Sequence, residues 1–123
     1  MTFGQSISHV FSNYATFTGR APRSEFWWFA LFTLVASIAL SFLDGLIFGA
    51  GGIGILSTLF SLAILIPSVA VGVRRLHDID RTGWWYLLVL VPILGFLVLL
   101  FFFVQRGTAG PNRFGPDPLG AAA

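Results

Sequence analysis

Three long apolar segments dominate the chain, and short polar segments separate them. They cover residues 26–43, 53–73 and 84–104, and none of them contains a charged residue. The second and third segments have 21 residues each. At a rise of about 1.5 Å per residue, each of these two is roughly 30 Å long, which is the thickness of the hydrocarbon core of a bilayer. The alternation of polar and apolar positions found in membrane barrels is absent, so the pattern predicts transmembrane helices.

The predicted architecture is an all-α membrane protein with three transmembrane helices, preceded by a short interfacial amphipathic helix. We predict one membrane domain covering residues 1–118, followed by a disordered tail at 119–123. The three predicted spans cover residues 24–48, 53–76 and 83–104.

The interfacial helix is predicted at residues 3–16. Five apolar side chains recur there at helical spacing in an otherwise polar segment: Phe3, Ile7, Val10, Phe11 and Tyr14. The first apolar segment starts 25 residues into the chain, and it is longer than the core of a usual signal peptide. We therefore expect the first span to remain in the mature protein.

Two prolines interrupt the apolar segments. Pro67 and Pro92 each lack an amide hydrogen and clash with the preceding helical turn, so each predicts a kink or a local break. Two arrangements stay open for the third segment: a full crossing, or a re-entrant hairpin at residues 92–95 that returns the tail to the side of the polar loop at 74–83. We favour the full crossing, because 21 residues fit one span and each half is too short to cross.

The positions of the arginines predict the orientation. With three spans, five arginines share the side of the N-terminus: Arg20, Arg23, Arg74, Arg75 and Arg81. The opposite side receives two, Arg106 and Arg113. Because basic residues concentrate on the cytoplasmic side, the N-terminus is predicted to be cytoplasmic and the C-terminus extracytoplasmic. Four tryptophans are predicted to lie at the same cytoplasmic interface: Trp27, Trp28, Trp84 and Trp85.

Composition agrees with a membrane location. Of the 123 residues, 56% are hydrophobic and 10% are charged, which is far from the balance of a soluble globular domain. The chain has no cysteine, so disulfides, thiol catalysis and thiolate metal sites are excluded. The net charge of +2 comes from arginines that flank the apolar segments. We therefore predict the lipid bilayer as a partner, no nucleic-acid partner and no cofactor.

The charged residues beside the spans are the main candidates for a functional site. We predict a polar cluster at the cytoplasmic interface from seven residues: Arg20, Arg23, Glu25, Arg74, Arg75, His77 and Asp78. Arg74 and Arg75 end the second helix, where cations complement the helix dipole. Arg74 precedes Asp78 by four residues, so a helical extension would pair the two side chains.

The polar tail that follows the third segment is rich in glycine and proline, which predicts an exposed loop. Asn112, Arg113 and Asp117 lie among its turns and form a candidate tail motif.

Three motifs occur in order along nearly the whole chain. They are FTGRAPRSEFW at residues 17–27, RRLHD at 74–78 with GWW at 83–85, and GTAGPNRFGPDP at 107–118. Together they make the chain resemble the domain of unknown function 805 family of small bacterial inner-membrane proteins. This resemblance implies a multi-pass protein of the bacterial cytoplasmic membrane with three or four helices, and it implies no activity.

Four functions stay open for the polar cluster. It could be the ion-pair network of a structural or interaction module, with a second copy or another membrane protein as partner, or a site for anionic phospholipid headgroups built on the same arginines. The alternative is a subunit of a small oligomeric channel or transporter, for which Asp44 is the one candidate intramembrane charge. The last is a metal-dependent enzyme that uses His77 and Asp78.

Spacing ranks these functions. A metal site needs three or four converging ligands, whereas His77, Asp78 and Asp80 alternate faces unless the loop curls. We therefore predict no catalytic residue, no metal site and no enzymatic activity. A transport pathway normally has polar residues deep within a span. The structural or interaction module and the headgroup site are the two functions that we favour.

Overall fold

In a computed structural model of the protein, which describes residues 2–49, 52 and 54–118, the regular elements are helices. They are α1 (Phe3–Ser12), α2 (Arg23–Phe48), α3 (Ile55–Asp78), a 3-10 helix (Gly83–Leu90) and α4 (Leu94–Val104). Within the described residues there is no strand, and Asn112 and Gly115 form an isolated β-bridge. The all-α prediction is confirmed for this part of the chain, and the predicted disordered tail at 119–123 lies outside it.

α1 begins at a capping box. The side chain of Thr2 accepts a hydrogen bond from the amide of Gln5 at 3.2 Å, and the Gln5 side chain accepts one from the amide of Thr2 at 3.0 Å. These two bonds satisfy amides that the start of a helix leaves without partners. Ser6 and Val10 are buried where α1 packs against α2. The helix ends at Ser12, short of the predicted end at residue 16.

α2 and α3 form the long apolar pair of the fold. By length and composition alone, both helices are suited to cross a membrane. Large apolar side chains are exposed along the outer surface of α2, including Leu34, Ile38 and Phe42. Such a surface fits contact with lipid, since a soluble protein rarely exposes apolar patches of this extent.

Asp44 connects α2 to the start of α3. Its carboxylate accepts hydrogen bonds from the amides of Leu56 at 2.9 Å and Ser57 at 3.0 Å, and from the Ser57 hydroxyl at 2.8 Å. The first amides of a helix have no partner within the helix, so a carboxylate satisfies them and complements the helix dipole. The residue on which the channel hypothesis depends is therefore engaged in capping α3.

The third apolar segment does not form one continuous helix. The 3-10 helix ends at Leu90, and α4 begins at Leu94 and packs back against it. The three predicted transmembrane helices are thus not confirmed: the structure has two long helices and a helical hairpin. The physical reason begins at Pro92, which has no amide hydrogen with which to continue the hydrogen bonding of the preceding turn.

The hairpin turn has an unusual backbone. Ile93 has φ of 65° and ψ of −68°, and the amide of Leu94 donates to the carbonyl of Pro92 at 2.7 Å, which closes a γ-turn. Gly95 follows, and a Cβ atom there would overlap the carbonyl of Leu88. The absence of a side chain at residue 95 therefore allows the two halves of the hairpin to approach each other.

The hairpin returns the tail to the charged end of α3. The amide of Thr108 donates to the carbonyl of Asp78 at 2.7 Å. The tail therefore lies at the same end of the molecule as the loop after α3, and not at the opposite end, where a full crossing would have placed it. The full crossing is therefore not confirmed: apolar length alone favours it, whereas the turn at residues 92–95 reverses the chain.

Two buried apolar clusters meet at Phe26. The first contains Val10, Ala21, Phe29 and Val71, and the second contains Leu76, Leu99, Phe102 and Phe103. Phe26 packs against both clusters, and its ring centroid lies 4.4 Å from that of Phe103. Burial of these side chains joins α1, α2, α3 and α4 around the charged end of the molecule.

Candidate functional site

The seven residues predicted as a polar cluster all lie where α2 begins and α3 ends. Six of them are buried: Arg20, Glu25, Arg74, Arg75, His77 and Asp78. The seventh, Arg23, is exposed. Ionised side chains are rarely buried unless they are paired, so the contacts of each member determine what the cluster can do.

Asp78 lies between two arginines. Its Oδ1 accepts a hydrogen bond from Nε of Arg20 at 3.0 Å, and its Oδ2 accepts one from Nη1 of Arg75 at 2.8 Å. All three side chains are at most 3% exposed. The predicted pairing of Arg74 with Asp78 is wrong, because the partner on the same helix is Arg75, three residues before Asp78. The contact between Arg20 and Asp78 joins α3 to the segment that precedes α2.

Arg74 pairs with Glu25 instead. Its Nη1 donates to Oε2 of Glu25 at 2.6 Å, and the Glu25 side chain is 0% exposed. The other carboxylate oxygen of Glu25 lies 2.9 Å from Nδ1 of His9 on α1. Glu25 on α2 therefore connects α3 with α1.

Arg20 binds the tail with the rest of its guanidinium. Its Nη1 donates to the carbonyls of Gly110 at 2.6 Å and Gly115 at 3.3 Å, and its Nη2 donates to the carbonyl of Thr108 at 2.5 Å. The fixed fork of guanidinium donors suits several acceptors held at different angles. One arginine thus joins the Asp78 carboxylate to three carbonyls of the tail.

Arginines also bind the end of α4. Nε of Arg75 donates to the carbonyl of Phe103 at 3.3 Å, and its Nη2 donates to the carbonyl of Gln105. Nη1 of Arg23 donates to the carbonyl of Val104 at 3.2 Å. The last carbonyls of a helix lack partners within the helix and carry partial negative charge, so cationic donors stabilise them. These bonds hold the returning hairpin to α2 and α3.

His77 stacks on an aromatic ring of the tail. Its ring lies parallel to that of Phe114, with an interplanar angle of 1° and a centroid distance of 4.0 Å. Nδ1 of His77 lies 2.9 Å from the carbonyl of Gly19, and since a carbonyl can only accept, Nδ1 is the donor. The backbone carbonyl of His77 accepts from Nδ2 of Asn112 at 2.9 Å. This histidine therefore contacts both the segment before α2 and the tail.

The candidate tail motif contacts the loop after α3. Arg113 donates through Nε to Oδ1 of Asp80 at 3.1 Å and through Nη2 to the Asp80 carbonyl at 2.5 Å. This pair is open to solvent, with 60% and 43% of the two side chains exposed. Asp117 accepts from the amide of Gly110 at 3.0 Å, which folds the tail back on itself. The tail is thus an ordered part of the site.

Two of the four tryptophans make contacts with α4, the second half of the hairpin. The indole nitrogen of Trp27 donates to the carbonyl of Phe103 at 3.0 Å. Trp85 meets the Phe102 ring edge-on at a centroid distance of 5.7 Å, and the Arg81 guanidinium lies 5.1 Å and 4.3 Å from these two ring centroids. Such cation–π contacts add stability where the charge is partly removed from water.

The other two tryptophans have different surroundings. Trp28 contacts Phe3 of α1 edge-on, at a centroid distance of 5.7 Å. Trp84 is 78% exposed at the start of the hairpin. Tryptophan favours the boundary between lipid and water, where its ring is apolar and its N–H can bond, so both positions suit an interface.

Sequence analysis did not identify three residues of the site. His9 carried a weak signal, because it shares a face of α1 with the buried Ser6 and Val10. Gly107 is the first residue of the GTAGPNRFGPDP motif, but a Cβ at this position would overlap the Asp78 carboxylate, which only the folded tail reveals. Phe114 belongs to the same GTAGPNRFGPDP motif, but its stacking on His77 depends on the return of the tail.

The described residues contain no group of three or more His, Cys, Asp or Glu side chains arranged to hold a metal ion. The Glu25 and Asp78 carboxylates are both bound by arginines. The arrangement joins six parts of the chain: α1, the segment before α2, the start of α2, the end of α3, the end of α4 and the tail.

Comparison with known proteins gives two similar chains of nearly the same length and a longer one. Inner membrane protein YhaH of Escherichia coli (strain K12) is 47% identical over 111 residues, which cover 89% of this chain and 92% of that protein. Inner membrane protein YhaI of the same strain is 46% identical over 109 residues, with 89% and 91% covered. The uncharacterized protein YiiR is 35% identical over 82 residues, with 62% and 50% covered. No solved structure matches the chain.

These relatives and the two long apolar helices support a location in the inner membrane. The profile of one family, described as protein of unknown function (DUF805), matches residues 14–116. The match includes α2, α3, the hairpin and most of the ordered tail. The chain therefore belongs to the DUF805 family.

Proposed function

We propose that this protein is a structural or interaction module of the inner membrane, in which the buried cluster closes the cytoplasmic end of the molecule. The observation that carries the proposal is the position of Asp78 between Arg20 and Arg75. These two arginines bind the tail and the end of α4 as well. A network of this kind fixes elements relative to one another, which suits a rigid surface for a partner.

We infer a topology with two spans and both termini in the cytoplasm. In this topology α2 and α3 cross the membrane, α1 lies along the interface, and the 3-10 helix and α4 form a re-entrant hairpin. All seven arginines then lie at the cytoplasmic end, whereas three spans would divide them five to two. The larger asymmetry supports two spans, because basic residues concentrate on the cytoplasmic side of inner-membrane proteins.

The surface of the hairpin supports its insertion into the bilayer. Leu90, Ile93 and Leu94 are exposed at its tip by 75%, 75% and 68%. Each half of the hairpin is helical, so most of its backbone groups bond within the chain, as the membrane core requires. An apolar tip of this kind is stable in lipid and costly in water.

The cluster fits an interaction module better than it fits a headgroup site. Arg20, Arg74 and Arg75 are buried and bond to carboxylates or carbonyls of the chain itself. A headgroup phosphate needs guanidinium donors that it can reach from the interface. The three buried arginines therefore support internal cohesion.

The proposal is tested by native mass spectrometry of the protein released from its membrane in mild detergent. We expect a stable complex with a second copy or with another membrane protein. Asp78→Asn should lose this complex because the tail is released, whereas Asp80→Asn, which affects an exposed pair, should retain it. A protein that is monomeric in every preparation, or that conducts ions or solutes in liposomes, would contradict the proposal.

A further inference from the structure

Two clefts are lined by successive residues of the first two turns of α2, and we call the surface that contains both of them the seam. One has a volume of about 240 Å³ and an almost wholly apolar lining that includes Trp27, Ala30, Phe96 and Leu100. The other has a volume of about 310 Å³ and a polar lining of Arg23, Ser24, Asp78 and Gly107. The seam is therefore polar at one end and apolar at the other.

In the proposed topology the two clefts lie at different depths in the membrane. Arg23, Trp27 and Ala30 are four and three residues apart on α2, so they share one face of the helix. Arg23 and Ala30 are seven positions apart, which corresponds to a rise of about 10 Å along the helix. Arg23 lies in the first turn of α2, at the cytoplasmic end in the proposed topology. The polar cleft is then at the level of lipid headgroups, and the apolar cleft is at the level of acyl chains.

The polar cleft has an excess of positive charge. The Asp78 carboxylate contributes to its lining, but Arg20 and Arg75 both pair with it. Arg23, which lines the cleft, adds a third guanidinium to the two buried ones, so three arginines are set against the carboxylates of Asp78 and of Asp117, which acts on Asp78 as well. Nη1 of Arg23 bonds to the carbonyl of Val104 while the side chain stays exposed, and its guanidinium is therefore within reach of a ligand. This charge balance favours an anion.

We propose that the seam binds one anionic phospholipid, with its phosphate at Arg23 and one acyl chain in the apolar cleft. The apolar cleft opens between α2 and the hairpin, where lipid surrounds the protein in the proposed topology. A phospholipid satisfies both ends of the seam with one molecule, which neither a free phosphate nor a purely apolar ligand can do. This site shares Asp78 with the buried cluster; it rests on the proposed two-span topology but not on the proposed interaction role.

The test is native mass spectrometry of the full-length, delipidated protein, titrated with phosphatidylglycerol or with phosphatidylethanolamine of the same acyl chains. We expect one phosphatidylglycerol to be retained about tenfold more tightly than phosphatidylethanolamine. Both lipids carry the anionic phosphate, but the ammonium group of phosphatidylethanolamine is repelled by the arginines around the cleft. Arg23→Gln should bring phosphatidylglycerol down to the level of phosphatidylethanolamine. Arg113→Gln, which changes an exposed arginine of the tail, is the matched control and should have no effect.

The acyl chain is tested separately by filling the apolar cleft. Ala30→Phe should reduce retention of both lipids, whereas Ala39→Phe, at an exposed position of the same helix, should leave it unchanged. Equal retention of the two lipids by the unmutated protein would overturn the proposal. Displacement of the lipid by inorganic phosphate, or a dimer that Ala30→Phe abolishes while lipid retention is unchanged, would also overturn it.

Discussion

The second and third apolar segments, residues 53–73 and 84–104, are alike in length and composition but fold differently. Each has 21 residues, one proline and no charged residue. α3 continues through Pro67, which is buried, whereas the third segment is divided at Pro92, which is exposed and precedes Ile93 at φ of 65°. Apolar length therefore predicts affinity for a membrane, but it does not by itself predict a crossing.

The ends of the two segments explain much of this difference. α3 ends in charged side chains, and the third segment ends in carbonyls to which Arg75 and Arg23 donate. The third segment also begins shortly after α3 ends, so both of its ends are held at the same end of α3. Because both ends of the segment are held at the same end of α3, the chain must turn back in the middle of the segment.

The largest effect is expected from removal of the anchor at Asp78. Asp78→Asn leaves Arg20 and Arg75 buried without their carboxylate, and loss of one partner from a buried ion pair costs about 3–5 kcal/mol. We expect this loss in the free energy of unfolding in detergent, together with cleavage of the tail by added protease. The matched variant Asp80→Asn removes an exposed pair and should cost at most about 1 kcal/mol. Equal effects of the two variants would show that the cluster does not anchor the hairpin.

A smaller effect is expected at the turn. Gly95→Ala places a Cβ against the Leu88 carbonyl, so the two halves of the hairpin must separate. Overpacking of this kind costs about 1–3 kcal/mol, which thermal unfolding in detergent can resolve. Gly45→Ala on α2 adds the same methyl group to open space and should be neutral or stabilising. If both alanine variants unfold at the same temperature, the close approach at Gly95 does not contribute to the turn.

The smallest of these effects is expected at the stacked pair of His77 and Phe114. Phe114→Leu keeps an apolar side chain but removes the parallel ring contact, which is worth about 0.5–1.5 kcal/mol. Phe42→Leu, on the exposed surface of α2, is the control for loss of a ring at a site that contacts lipid. Hydrogen exchange of the tail amides should increase in Phe114→Leu alone. Unchanged exchange would mean that the stack does not hold the tail.

Much of the fold could be predicted from hydrophobic periodicity. The segment that became α3 has its apolar run and its terminal arginines adjacent in sequence, so local information predicts it. The hairpin could be predicted only as an alternative, because Pro92 and Gly95 indicate a turn but carry no information about where the chain returns. That information lies in the bonds from Arg75 and Arg20 to distant carbonyls.

The residues of the site were easier to predict than their partners. Charge next to apolar segments was enough to select Glu25, Arg74 and Asp78, since few residues outside the spans carry charge in this chain. The pairing of Arg74 with Glu25 joins two helices, and helical spacing describes contacts within one helix only. The contribution of His9 depends in turn on how α1 packs, which its own sequence does not specify.

The position of the tail relative to the membrane is the most direct test of the two-span topology. Because the chain has no cysteine, single substitutions can report accessibility to thiol reagents in intact cells. Ala109→Cys in the tail should react with a membrane-permeant maleimide and resist an impermeant one, as Thr2→Cys at the N-terminus should. Phe48→Cys, at the opposite end of α2, should react with the impermeant reagent from outside. Labelling of Ala109→Cys by the impermeant reagent in intact cells would place the tail outside and contradict the re-entrant hairpin.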